Sequence, residues 1–133
     1  MLNPLQQFGK EGQDLAEKFL KKKGLKVLER NYRNRFGEID LIMRDKKTIV
    51  FIEVKARKSK RHGHPLEAIT TFKQQQISNM ALQYLQMKKA LQKPARFDVI
   101  AIEVEKTEKA PQLTWLKNAF EFQENWTWHI NII

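Results

Sequence analysis

Apolar positions recur along this chain with two different periods, and the changes of period mark its elements. Between Gln7 and Lys23, Phe8, Leu15, Ala16, Phe19 and Leu20 repeat at helical spacing, and Gly24 follows the basic turn Lys21-Lys22-Lys23. This predicts a helix with a glycine stop. Leu25 to Arg35 alternates loosely, with Leu25, Val27 and Tyr32 among basic residues, as in a strand with one wet face. Gly37 to Arg44 and Thr48 to Arg57 are rich in β-formers and flank the polar Asp45-Lys46-Lys47, which predicts a hairpin. Ser59 to Pro65 reads as a basic loop. From Ala68 to Lys89, Phe72, Ile77, Met80, Ala81, Tyr84 and Leu85 form the stripe of a long helix. Phe97 to Val104 is an almost unbroken apolar run, as in a strand buried on both faces. A short strand is expected near Leu113 to Leu116, and Trp126 to Ile133 reads as an edge strand or docking segment.

The order helix, strand, hairpin, helix, strand predicts an α/β fold, with a mixed central sheet flanked by helices. Residues 1 to 120 are expected to form a single domain, with 121 to 133 as a C-terminal extension. If the hairpin is symmetric about Lys46 and Lys47, Ile39 faces Val54, Leu41 faces Ile52 and Met43 faces Val50, three apolar pairs on one face. The other face then opposes Asp40 to Glu53 and Glu38 to Lys55, with Cβ atoms roughly 4.5 to 5.5 Å apart. Like charges directly opposed in a sheet are destabilising, and a shared divalent cation explains the Asp40–Glu53 pair most simply. An ordinary wet hairpin face is the alternative, against which Ile42 and Phe51 argue, because they cover the acid-bearing side.

Composition narrows the chemistry. The 133 residues carry 25 Lys and Arg against 15 Asp and Glu, a net charge of +10, which points to a polyanionic partner with nucleic acid foremost. Residues 97 to 133 hold three lysines against six acids, so the basic surface belongs to the part that carries the hairpin. With no cysteine, disulfides and thiolate chemistry are excluded and oxygen ligands suit a hard cation, Mg²⁺ or Mn²⁺. No apolar run is long enough to span a bilayer and Met1 to Lys10 lacks the order of a signal peptide, so no membrane association and a cytoplasmic location are expected.

Gly37-Glu38-Ile39-Asp40, followed after a hairpin by Glu53-Val54-Lys55, resembles the metal-site pattern of the restriction-endonuclease-like PD-(D/E)XK nucleases. The wider set comprises Gly9-x-x-Gly12 before Leu15-Ala16, Arg30-Asn31-Tyr32-Arg33, Phe51 to Arg57, Lys73, Arg96-Phe97-Asp98 and Asn118-Ala119-Phe120. Together these resemble the YraN-type protein family, itself likened to Holliday-junction resolvases. The resemblance implies a restriction-endonuclease-like core. It makes Asp40, Glu53 and the Val54 carbonyl metal ligands, with Lys55 the catalytic lysine. Where that family carries Glu in the first helix, this chain has Gln13, and Glu17, one turn on, is a substitute acid; Glu38 and Lys73 complete the supporting set.

Lys73 either reaches a phosphate or snorkels from the helix start. Arg33, Arg35, Arg57, Lys58, Lys60, Arg61 and His64 are the candidate nucleic-acid contacts. His62 and His64 either touch phosphate or stand solvated, and Trp126 and Trp128 either stack on bases or pack the tail. Two functions follow: a metal-dependent nuclease acting on DNA, with branched DNA and a two-fold dimer in view, and a non-catalytic nucleic-acid-binding protein, for which Gln13 is the clue.

Overall fold

The computed structural model describes residues 2–58, 63–104 and 110–123. The chain forms α1 (Pro4–Lys22), β1 (Lys26–Asn34), β2 (Gly37–Asp45), β3 (Thr48–Arg57), a 3-10 turn (Pro65–Ala68), α2 (Thr71–Met87), β4 (Ala95–Glu103) and β5 (Gln112–Phe120). The five strands make one sheet in chain order, antiparallel except where β3 runs parallel to β4. A parallel pair needs a crossover, and α2 supplies it. The fold is therefore the expected mixed α/β sheet with a helix, three strands, a helix and a strand in succession.

Local chemistry sets the ends of the helices. Asn3 caps α1 reciprocally: its side chain accepts from the Gln6 N–H, and the Gln6 side chain accepts from the Asn3 N–H, which starts the helix earlier than the apolar stripe suggests. At the other end Gly24 takes a φ of +97°, while Leu25 N–H donates to the Leu20 carbonyl and closes the helix. Gly12 lets α1 approach the sheet, since a Cβ there would stand 3.0 Å from the Ala56 Cβ. Thr70 caps α2 by accepting from the Lys73 N–H, and Ala68 belongs to the preceding 3-10 turn.

The sheet separates two cores. On the α1 side, Ala16 and Leu20 pack with Leu41, Met43, Val50, Ile52, Ile100 and Ile102. On the α2 side, Ile77, Met80, Tyr84 and Leu85 pack with Ile39, Ile42, Phe51, Phe97 and Val99. Three expectations need correction here. Ile39 lies on the α2 side, apart from Leu41: the paired register of the hairpin ends at Leu41 opposite Ile52, and the alternation of β2 breaks at Asp40 between them. Phe72 is 74% exposed and leaves the stripe of α2, being the second residue of that helix. The expected short strand is β5, nine residues long. The tail at Trp126 to Ile133 and residues Lys60, Arg61 and His62 of the basic loop lie outside the described residues.

Candidate metal centre

The hairpin pairing runs from Asp45 opposite Thr48, through Met43 opposite Val50, to Leu41 opposite Ile52, the register expected from the apolar pattern. At the next level the side chain of Asp40 steps in, its Oδ2 accepting the Val54 N–H at 2.8 Å. The paired register ends at Leu41, so Asp40 and Glu53 are not directly opposed as expected, yet the Asp40 carboxylate lies close enough to act on Glu53. Glu53 is 7% exposed, two residues along β3 from buried Phe51, and its carboxylate faces α2, where Lys73 Nζ stands 3.5 Å from Oε2.

That contact is an ion pair without a hydrogen bond: Glu53 Oε2 is a buried oxygen with no hydrogen-bond partner. Burial, then the hydrogen-bonding proximity and the charge of Asp40, push the Glu53 carboxyl up to about 8, against the pull of Lys73 and Lys55. A buried, partnerless carboxylate oxygen is costly, and such groups in native proteins need a reason. A hard divalent cation fits the donors present. Mg²⁺ commonly takes one or two carboxylates and fills its remaining positions with water and substrate phosphate oxygens. Among the described residues no group of three or more His, Cys, Asp or Glu side chains is placed to hold a metal.

The profile of the family described as Uncharacterised protein family UPF0102 matches residues 12–102. A UPF0102 protein of Geobacter metallireducens is 49% identical over 113 residues, covering 85% of this chain and 91% of its own length. Another, from Colwellia psychrerythraea, is 45% identical over 114 residues, covering 84% and 87%. This chain belongs to the UPF0102 family. Among solved structures, Pyrococcus furiosus SfsA in complex with Ca²⁺ aligns over 85% of this chain and 63% of that chain, at 14% identity and a TM-score of 0.39, a likeness too slight to carry an argument.

The other candidate residues of this UPF0102 protein fall into distinct groups. Gln13 reaches over from α1: its Nε2 donates to Asn31 Oδ1 at 3.0 Å and to the Asp40 carbonyl at 3.3 Å, and its Oε1 accepts from Asn31 Nδ2 at 3.2 Å. It therefore braces the backbone of Asp40 rather than its carboxylate. Glu38 does not pair with Lys55 as the hairpin symmetry suggests; it accepts from Asn31 at 2.7 Å and from Arg33 at 2.8 Å. The break of alternation at Asp40, between Ile39 on the α2 side and Leu41 on the α1 side, accounts for that change of side. Glu17 is held by Arg30 and Lys21, chiefly through the Arg30 hydrogen bond, which keeps its carboxyl below the usual range. Its bonds do not run to the acid pair, and it does not replace the missing helix acid.

Among the basic candidates, Arg57 is corrected outright. Its side chain is 8% exposed, pairs with Glu103 at 3.1 Å and donates to the Gly63 carbonyl, so it joins β3 to the following loop and presents no surface to a phosphate. Arg33, Arg35, Lys58 and His64 are exposed. Arg35 stacks on Phe36, Lys58 lies over the Phe8 ring, and His64 Nδ1 accepts from the Leu66 N–H as the cap of the 3-10 turn.

Sequence reasoning missed Asn31, which ties Gln13 to Glu38. The signal was available in Arg30-Asn31-Tyr32, because Asn is the residue most tolerant of a left-handed backbone after glycine.

Proposed function

We propose that this UPF0102 protein is a metal-dependent phosphodiester hydrolase acting on DNA, with Asp40, Glu53 and the Val54 carbonyl as the ligands and Lys55 as the catalytic lysine that orients the nucleophile. The observation that carries this reading is the partnerless buried Oε2 of Glu53 beside a second carboxylate. Asp40 is pre-oriented by the Val54 N–H, so it loses little freedom on binding a cation. Glu53 would hold the ion in its ionised form, because the ion's charge would stand in for the proton in the same low-dielectric site. A divalent cation in this site supplies charge stabilisation to the phosphoryl oxygens and lowers the pKa of water. Lys55, on the acid-bearing side of β3, would orient the attacking water and screen the developing negative charge. Exposed Arg33, Arg35 and Lys58 hold the phosphate backbone, contacts that position the substrate without reading its sequence.

Mn²⁺ titration and a cleavage assay on branched and linear DNA test the reading together. The expected result is Mn²⁺ binding and Mg²⁺-dependent cutting by the natural chain, both lost in Glu53→Gln. If Glu53→Gln binds Mn²⁺ as the natural chain does, the ligand assignment falls. A second reading, a non-catalytic nucleic-acid-binding protein, is favoured by Gln13, whose neutral amide braces Asp40 and adds no ligand charge. It predicts DNA binding with a steep salt dependence and no cutting, either by this chain or by Gln13→Glu.

A further inference from the structure

The far end of the sheet carries a second concavity, where the β2–β3 turn meets the end of α2 and the segment that leads into β4. This cleft of about 550 Å³ is lined by Leu28, Ile49, Tyr84, Ala90 and Pro94 as an apolar floor, with Arg44, Lys46, Lys47, Lys88 and Lys93 around it. A volume of this order suits a small organic ligand. Five basic side chains face one acid, Glu29, and that acid is already engaged: Tyr84 Oη lies 3.4 Å from its Oε2 and Lys88 Nζ 4.0 Å. Asp45, the acid of the turn itself, is drawn to Arg96 at 3.0 Å and to Lys117 at 3.9 Å. Among the described residues no carboxylate pairs with Arg44, Lys46, Lys47 or Lys93.

The sheet register adds a second observation. Arg44 lies directly opposite Lys26 across β1 and β2, a like-charge pair that destabilises a sheet unless an anion relieves it. The floor asks for something more than inorganic phosphate. Leu28 is 39% exposed although it lines the cleft, and the hydroxyl of buried Tyr84 sits beside Glu29, so a flat apolar group finds both surface and a polar edge.

We infer that this cleft binds a nucleotide phosphate, with the base on the floor of Leu28, Ile49 and Pro94 and the phosphate among Arg44, Lys47 and Lys93. The ligand is either a free nucleotide or the terminal nucleotide of a strand. The site is separate from the acid pair and needs no metal. Its occupation neutralises the Arg44–Lys26 repulsion.

Calorimetric titration of the full chain in EDTA with 5′-AMP, inorganic phosphate and adenosine tests this. The expected order is AMP tightest, phosphate weaker and adenosine weakest, with phosphate competing against AMP. Arg44→Glu and Lys93→Glu should each weaken AMP roughly tenfold or more, the scale of a lost charge-assisted contact. Lys58→Glu and Glu53→Gln should leave it unchanged. Equal binding of adenosine and AMP, or insensitivity to both reversals at the cleft, overturns the site. Loss of AMP binding in Glu53→Gln overturns it too, by placing the nucleotide at the acid pair. A 5′-phosphorylated oligonucleotide that competes with AMP while its circular form does not identifies a strand end as the ligand; failure of both identifies a free nucleotide.

Discussion

Two buried carboxylates sit at almost the same level of the sheet, on neighbouring strands and opposite faces, and they are treated in opposite ways. Asp98 of β4 pairs in register with Ile52, one residue before Glu53 of β3. Asp98 is 1% exposed and accepts from Arg96 Nε at 3.0 Å, Trp115 Nε1 at 2.9 Å and the Asn118 N–H at 2.9 Å. Its charge is paired and its lone pairs are filled, the condition under which a buried charge is stable. Glu53 has a lysine 3.5 Å away that makes no hydrogen bond to it, a like charge beside it and an oxygen with no hydrogen bond. The first acid holds strands together. The second is held by them with a raised pKa and one oxygen left without a hydrogen bond.

The largest effect expected from this comparison is on stability at Asp98. Asp98→Ala leaves Arg96 and Trp115 without their shared acceptor and should cost roughly 3 to 5 kcal/mol, the scale of breaking a buried pair by removing one partner. Urea denaturation reads it, and a cost below about 1 kcal/mol would erase the distinction between the two acids. The same truncation logic gives the opposite sign at Glu53. Glu53→Gln removes a buried carboxylate that ionises only above about 8 and whose Oε2 makes no hydrogen bond, so the metal-free protein at pH 9 should gain roughly 1 to 3 kcal/mol, the penalty of a buried unsatisfied group. Stabilisation of the natural chain by Mn²⁺ should vanish in the same variant, as a shift of Tm shows.

The contrast in stability was only partly legible in the residues. The register of the hairpin could be worked out from Leu41, Met43, Val50 and Ile52, because a buried face permits only one pairing. The same pattern sets Asp40 directly across from Glu53, whereas the pairing ends one level earlier, at Leu41 and Ile52. It could not show that the pairing stops short of Asp40 and that Ile39 turns to the other layer, where Gln13, Asn31 and Glu38 from three different elements meet through their side chains. Arg57 and Asp98 were misjudged or passed over for one reason: sequence gives the charge of a residue, while the partner that buries it comes from a strand far along the chain. Glu103 lies 46 residues from Arg57, and Trp115 lies 17 from Asp98.

Proton linkage sharpens the comparison at a smaller scale. The folded Glu53 carboxyl, raised to about 8 from an ordinary 4.5, binds more protons than the unfolded chain throughout that interval. Stability of the metal-free protein therefore declines as pH rises from about 4.5 towards about 8 on account of this residue. Glu17 works the other way: the Arg30 hydrogen bond lowers its carboxyl, so its contribution is present above 4.5 and is lost as pH falls below its folded value. Thermal melts between pH 5 and 9 should show a fall for the natural chain that Glu53→Gln lacks. Parallel profiles would mean that Glu53 ionises freely and is no counterpart to Asp98.

The smallest effect concerns Lys73, which is one-third exposed and stands 3.5 Å from the buried oxygen of Glu53. Its charge favours the ionised carboxylate, so Lys73→Met should raise the Glu53 pKa further, and Mn²⁺ then has to displace a more tightly held proton. The midpoint of Mn²⁺ affinity against pH should move upward, with little change in the limiting affinity at high pH, where the proton is already gone. A lysine that merely packs the start of α2 would instead lower the melting temperature equally at every pH and leave that midpoint in place. Because the contact lacks a hydrogen bond and solvent screens the ammonium, the displacement should be modest beside the loss in Glu53→Gln. A midpoint that moves downward would show that Lys73 competes with the cation for Oε2 and does not prepare the site for it.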